Sequence, residues 1–293
     1  MNLRLRRASA LAPIVLLFVG SAAVADPPAE TYTSQRSTQL GPSWIHSGFT
    51  TDGGGTVWDN LFADMVNALG AYNEIAFAFN QCYGGGMIDE LTDNGVNRAS
   101  YTSAARHNQR SWSRPEPTGQ WESTYNVNYA PKAGSANPQT QRAAAKFARA
   151  NDFRGPFGNQ APTEDPQYTS SGRVGDDITL HRNSGSNPTN NNAYKAILFG
   201  GSGARPLDIA GNTNSLARMV TNLTAAGYAA GDIRALARGN PVQFRPTFKN
   251  LATAWKDVRA VATATTQIFY WNSWGHGTRM NDSVKKRQWD DLG

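Results

Sequence analysis

The chain has 293 residues, 39% of them hydrophobic and 8 of them Trp, enough for one large domain or two small ones with a sizeable core. Its net charge of +6 owes several charges to Arg4, Arg6 and Arg7 at the very start. The remainder is only mildly basic, and no run of Lys and Arg is interleaved with aromatics, so a nucleic-acid partner is not expected. Lys285, Lys286 and Arg287 read as a solvated helix face. Charged residues make up only 17% of the chain, and the polarity comes from Asn, Gln, Ser, Thr and Gly, as in extracytoplasmic proteins with long loops.

Residues 1–25 read as a secretory signal. The three arginines are followed by an apolar core over Leu11 to Val19 and a small-x-small site at Ala23-Val24-Ala25. The apolar run is too short to span a bilayer comfortably, and no later stretch would, so the expectation is a secreted or periplasmic chain without a membrane span. Residues 26–293 then form one domain in three parts: a Cys-bearing part (40–150), a long connection (152–192) and a βαβαβ part (193–293).

In chain order, Asp26 to Leu40 is a loose N-terminus. Ser43 to Gly48 is a short strand or hairpin edge, and Asp52 to Gly55 is a turn. Thr56 to Leu69 has apolar residues at helical spacing, with Thr56 as N-cap and Gly70 as the stop. Glu74 to Phe79 is a buried strand that leads through Asn80 and Gln81 to Cys82, the only cysteine, and then to Gly84-Gly85-Gly86. Met87 to Asn94 is a short helix or loop, Asn97 to Ala105 a strand, Arg106 to Gly134 a polar loop, and Gln139 to Arg149 a helix. Asp152 to Asn192 is a surface connection with a short strand at Asp177 to His181. Strands then follow at Tyr194 to Gly201, Asp232 to Leu236 and Gln267 to Trp271. They alternate with helices at Asn212 to Ala226 and Pro246 to Ala262. This alternation predicts an α/β fold with a mainly parallel sheet and helices on both faces.

The chemistry gathers at two strand ends. Cys82 follows one strand and precedes glycines, and His276 follows another between Gly275 and Gly277. In a parallel sheet both ends lie on one side, so the imidazole can activate the thiol and then protonate a leaving amine. The backbone N–H groups of Gly277 and Cys82 are candidate oxyanion donors. An unpaired thiol in an oxidising compartment is a liability unless it is buried or used, and a single Cys excludes an internal disulfide. His46 is the alternative base, while His107 and His181 read as surface residues. One Cys and four His have no ligand spacing, so neither a metal nor a cofactor is expected. Gly200-Gly-Ser-Gly203 lacks the forms of a phosphate-binding loop.

Trp274-Gly275-His276-Gly277 after a strand resembles the His-Gly motif of the caspase-like peptidases, which include caspases, metacaspases, legumains and gingipains. Gln81-Cys82-Tyr83-Gly84-Gly85 resembles their Cys motif. Tyr194 to Gly201 with Asn212 to Ala226 resembles their first strand and helix, and Arg98 to Ala105 resembles the strand after the nucleophile. The resemblance implies a three-layer sandwich and a secreted cysteine endopeptidase working on peptides or proteins through a Cys82–His276 dyad and a thioester. It also implies a specificity pocket beside the Cys, for which Arg205 and Asp208 are weak candidates. In that family the His strand precedes the Cys strand, so this chain would be a circular permutation whose segment 152–192 joins the old ends. The alternative is a secreted binding or structural protein on the same scaffold without activity. The stretch Asn272-Ser-Trp-Gly275 is similar to one in papain-like peptidases. Those begin a helix at the nucleophile, however, whereas Cys82 ends a strand.

Overall fold

The computed structural model describes residues 45–52, 55–93, 95–107, 109–115, 121–152, 164–171, 178–180, 193–201, 206–238, 244–273 and 277–281. The strands are β1 (Ile45–Thr50), β2 (Thr56–Trp58), β3 (Glu74–Phe79), β4 (Ala99–Ser103), β5 (Ser113–Pro115), β6 (Trp121–Ser123), β7 (Gln167–Ser170), β8 (Tyr194–Gly200), β9 (Ile233–Ala237), β10 (Gln267–Asn272) and β11 (Gly277–Asn281). The helices are α1 (Asp59–Asn67), α2 (Ile88–Asp93), α3 (Thr124–Ala133), α4 (Gln141–Ala150), α5 (Pro206–Ala225) and α6 (Phe248–Val261).

The main sheet has 6 strands in the order β7-β4-β3-β10-β8-β9. All neighbours are parallel except β7, which runs antiparallel to β4 at the edge. The mainly parallel α/β architecture expected from the alternation is therefore present. β8 is flanked by β9 on one side and β10 on the other, so the connections reverse direction there. Such a reversal opens a crevice at the carboxyl ends of the strands, where α/β proteins bind ligands.

Side-chain alternation builds two unequal faces. On one face Ile75, Phe77 and Phe79 of β3 join Tyr101, Phe199, Ile268 and Tyr270 under α1, α2 and α6. Phe62 of α1 lies 4.6 Å from the Tyr270 ring, centroid to centroid, and Phe77 stacks on Tyr101 at 5.3 Å. On the other face β3 presents only Ala76 and Ala78, and the bulk comes from Phe269 and Trp271 of β10, Tyr125 and Tyr129 of α3 and Leu216, Met219 and Leu223 of α5. The small β3 residues leave room for the tyrosines.

Several elements depart from the expected boundaries. Thr56 does not cap a helix. Thr56–Trp58 pairs with β1 as a hairpin, and α1 begins at Asp59 without a side-chain cap. The hairpin forms because Thr51 N–H reaches Gly55 C=O at 2.7 Å. Gly70 does stop the segment, with φ 79°. The loop expected over 106–134 contains β5, β6 and α3. Pro131 inside α3 and its Asn- and Tyr-rich sequence hide a helix that burial of Tyr125, Tyr129, Ala130 and Ala133 stabilises. The connection 152–192 contributes β7, and of the strand expected at 177–181 the described residues are 178–180, where Thr179 bridges Thr140. α6 starts two residues after Pro246 because Thr247 takes the N-cap, its side chain accepting from Asn250 N–H at 3.1 Å. α5 runs one turn and more beyond its expected start, from Pro206.

β1 is the middle strand of a second sheet, β11-β1-β2. Its turn is fixed by Asp52, whose side chain is 1% exposed and paired with both Arg238 and Arg245. Burial raises the Asp52 pKa, but the two guanidinium groups outweigh it and hold the carboxyl below its usual 3.8. A depressed pKa contributes stability above the unfolded-state value and loses it as pH falls through the folded-state value. We predict that Asp52→Asn lowers unfolding free energy in urea by about 1–3 kcal/mol at pH 7. The difference from wild type should shrink below about pH 4, where the carboxylate protonates.

Candidate functional site

Cys82 lies three residues beyond β3, at the carboxyl end of a central strand, as expected. The chain turns sharply there. Tyr83 takes φ 59°, a left-handed conformation that costs a non-glycine residue about 1–2 kcal/mol. The turn is held by Tyr83 N–H to Gln109 C=O at 2.7 Å, Gly84 N–H to Gln81 C=O at 3.1 Å, Gly85 N–H to Ala105 C=O at 2.8 Å and Gly86 N–H to Tyr83 C=O at 3.1 Å. These bonds spend the amides after Cys82, which removes them as oxyanion donors. Residues Gly84–Met87 continue as a tight helical turn into α2. A Cβ on Gly86 would stand 2.1 Å from Ser47 Oγ and 2.9 Å from Ser47 Cβ, so glycine lets β1 lie directly on the turn.

The thiol is partly buried and faces the segment before β5. It donates to Ser111 C=O at 3.8 Å and accepts from Ser111 Oγ at 3.7 Å. Burial pushes the Cys82 thiol above its ordinary pKa, against the hydrogen bonds from Ser111 and the charge of Arg110. Arg110 is solvent-exposed and hydrogen-bonds Tyr83.

His276 lies outside the described residues, together with Trp274 and Gly275. The described residues on either side of it are Ser273, at the carboxyl end of β10, and Gly277, which opens β11 and pairs with Phe49 of β1. β10 is the parallel neighbour of β3, with Asn272 opposite Phe79, and Asn80 N–H donates to Asn272 C=O at 2.9 Å. His46 lies in β1 opposite Met280. His107, expected at the surface, is half-buried, and its Cβ lies 3.2 Å from the position a Cβ on Gly86 would take. His181 and Arg205 lie outside the described residues, and Asp208 lies in the first turn of α5.

Buried amides tie the strand ends together. Asn126 Oδ1 accepts from Asn80 Nδ2 at 3.3 Å and from Trp271 Nε1 at 3.1 Å. Ser273 Oγ donates to Asn212 Oδ1 at 2.7 Å, and Ser273 N–H donates to Phe199 C=O at 2.9 Å. Gln81, fully buried beside Cys82, has neither side-chain amide atom hydrogen-bonded. An unmet buried polar group costs about 1–3 kcal/mol, which no packing argument explains here.

One residue near the thiol gave no signal in the sequence. Glu164 is buried. Its Oε2 accepts from Thr124 Oγ1 at 2.9 Å and from Trp112 N–H at 3.2 Å, while its Oε1 has no hydrogen bond. Burial first, then the Asp152 carboxylate, push it well above the usual carboxylate range. It precedes β7 by three residues in a stretch read only as a connection, so neither periodicity nor motif pointed to it. Among the described residues, one carboxylate group can gather round a cation: Asp59, Asp89 and Glu90 place ligand atoms within 4.8 Å of one another. Asp59 is already engaged, accepting from Ser47 N–H and Asn60 N–H, both at 2.8 Å. Burial, with Glu90 and Asp59 beside it, raises the Asp89 pKa well above its usual value.

Comparison with known proteins returned no matching family model, no similar curated protein and no similar solved structure. Among the described residues, no helix is long and apolar enough to cross a membrane.

Two outcomes follow from this geometry. Gly86→Ala should destabilise the fold by about 1–3 kcal/mol through overpacking against β1, and Ser47→Gly in the same chain should recover part of it, read by urea denaturation. Alkylation of Cys82 by iodoacetamide in the resting protein should be slow at pH 7 and reach its midpoint above the free-thiol value of about 8.5. Ser111→Ala, which removes a donor to the thiolate, should move that midpoint higher.

Proposed function

We propose that the chain is a secreted cysteine endopeptidase in which Cys82 attacks the peptide carbonyl and His276 serves as general base and then acid. The observation that carries this reading is the pairing of β3 with β10. The one cysteine leaves the first of these strands and His276 follows the second, and both strands end on the same side of the sheet. β1 gives further support. Ser47 packs on the glycine turn after Cys82, and Phe49 pairs with Gly277 just after His276. Ser47 and Phe49 are two residues apart on one strand, about 7 Å. The Cys82 N–H and Gly277 N–H remain the oxyanion donors in this proposal, since the amides from Tyr83 to Gly86 are engaged.

The resemblance to caspase-like peptidases also draws support from the sheet. The C-terminal unit β8-α5-β9-α6-β10 lies beside the N-terminal strands, β3 next to β10 and β4 next to β3. Spatially the chain continues from β10 into β3, as a circular permutation of that fold would require. The reaction makes a thioester between Cys82 Sγ and the acyl half of the substrate. The amine leaves with the proton taken from the thiol, and water then releases the acid. A second reading, a secreted binding protein without activity, is favoured by one observation: the resting thiol is covered by Ser111, and burial raises its pKa.

The test is hydrolysis of a mixed fluorogenic peptide library by the purified chain. Cys82→Ala and His276→Ala should each lower turnover at least about a thousandfold, and His46→Ala should leave it within a few-fold. Full loss in His46→Ala with activity kept in His276→Ala would replace the base and end the permutation. No turnover by the wild type, together with a folded chain, would leave the binding protein.

A further inference from the structure

We infer that the solvent face of α6, together with Phe244 just before it, docks the protein on an anionic lipid surface. The chemistry at Cys82 plays no part in this.

Two sets of side chains share the stretch. The first is apolar. Among the described residues, the exposed large hydrophobic side chains are Phe244, at 39%, and Phe248, at 43%. Scattered exposed apolar residues are ordinary on a soluble protein. These two are not scattered: four positions separate them, so their Cα atoms are at most about 14 Å apart. Both are held in place by their backbone. Phe244 C=O accepts from Ala237 N–H at 3.0 Å, at the edge of the main sheet, and its ring lies 4.6 Å from the Arg234 guanidinium. Phe248 opens α6 directly after its N-cap, Thr247.

The second set is basic. α6 buries Leu251, Ala254, Trp255 and Val258 against the sheet. Its other face carries Lys249, Lys256 and Arg259, all exposed, at helical positions i, i+7 and i+10, with Ala252 at i+3 between them. At 1.5 Å per residue this stripe is about 15 Å long. The ion pairs among the described residues involve none of these three cations. The one acidic residue of the helix, Asp257, is taken by Arg234 at 2.6 Å. Before the helix, Arg238 and Arg245 share the single carboxylate of Asp52, which leaves positive charge in excess there as well.

The combination selects the partner. A second copy of the chain in a two-fold contact would set this basic face against itself. An acidic polymer would use the cations and leave the two rings in water. A lipid surface uses both sets: anionic headgroups meet Lys and Arg, and the rings enter the interface between headgroups and acyl chains. Docking of this kind asks for no membrane-crossing helix, and among the described residues there is none.

The test is co-sedimentation of the full chain with vesicles of phosphatidylcholine, alone or with about 30% phosphatidylglycerol. The expected result is binding to the anionic vesicles only. Lys249→Gln with Lys256→Gln should weaken the partition coefficient at least about tenfold, and Phe248→Ser at least about threefold. Raising salt from about 0.1 M to about 0.5 M should release the protein. All three positions are exposed, and an unchanged urea midpoint checks the fold of each variant. A second readout locates the contact without removing a lysine. In Cys82→Ala, a bimane label is placed at Phe248→Cys or at Thr221→Cys, which is exposed on α5 over the opposite face of the sheet. Anionic vesicles should shift the first label to the blue and leave the second unchanged. No binding to anionic vesicles, equal binding to phosphatidylcholine alone, or equal shifts at both labels overturns the inference. Weaker binding in the lysine variant with none of that loss in Phe248→Ser also overturns it, and assigns the face to an acidic polymer or protein.

Discussion

The parallel pairing of β3 with β10 joins two stretches nearly two hundred residues apart, and the rest of the molecule depends on it. Gln267 Nε2 bonds Glu74 Oε1 at one end, across a separation of 193 positions. Asn80 N–H reaches Asn272 C=O at the other. Between them every residue of β10 and five of the six in β3 are buried. Closing so long a loop is entropically costly, though the cost grows only logarithmically with length. Burial of Phe77, Phe79, Tyr270 and Trp271 is the large opposing term, at about 25 cal/mol for each square ångström of apolar area. Once this pair is made, the carboxyl ends of both strands share one edge, and the candidate site follows from that.

The two faces of the sheet divide the work. The aromatic face under α1, α2 and α6 is a hydrocarbon core built around Phe62 and Tyr270. The other face is small at β3 but large at β10, with Phe269 and Trp271, and at the helices, and it carries the polar groups towards the strand ends. Asn126, on α3, reaches both Asn80 and Trp271 from that side. Networks of this kind are strong in a low dielectric when complete and costly when not. Here several members are incomplete, among them Asn80 Oδ1, Asn272 Nδ2, both side-chain amide atoms of Gln81 and Glu164 Oε1. Tyr83, directly after Cys82, is one of two described non-glycine residues with positive φ, the other being Arg98.

Much of the fold was legible in the order of residues. The run from Glu74 to Phe79, the strands at Tyr194 and Gln267, and the helix from Gln141 announced themselves by apolar runs or by alanine-rich helix propensity. α3 did not. Pro131 and weak helix formers argued against it, and its stripe of Tyr125, Tyr129 and Ala133 acquires meaning only when the alanines of β3 open space for it. β2 was misread because Val57 fits the helical spacing of the residues after it, while its partner, Phe49, lies across a turn. β7 is four residues long in a Gly- and Ser-rich stretch, and only the exposed edge of β4 gives it a place.

The candidate site divides in the same way. The sequence by itself determined a lone thiol at the end of a buried strand, followed by glycines that permit a tight turn, and a second buried strand leading to His276. These are local properties, written in apolar runs and in the absence of side chains. Tertiary structure alone decided that these two strands are neighbours. It also decided that Ser111 covers the thiol, that Ser47 lies on Gly86, and that a carboxylate from residue 164 stands one peptide away. Those depend on loops whose sequences carry no periodicity. Their positions are set by hydrogen bonds to distant backbone, which leave no pattern in the chain.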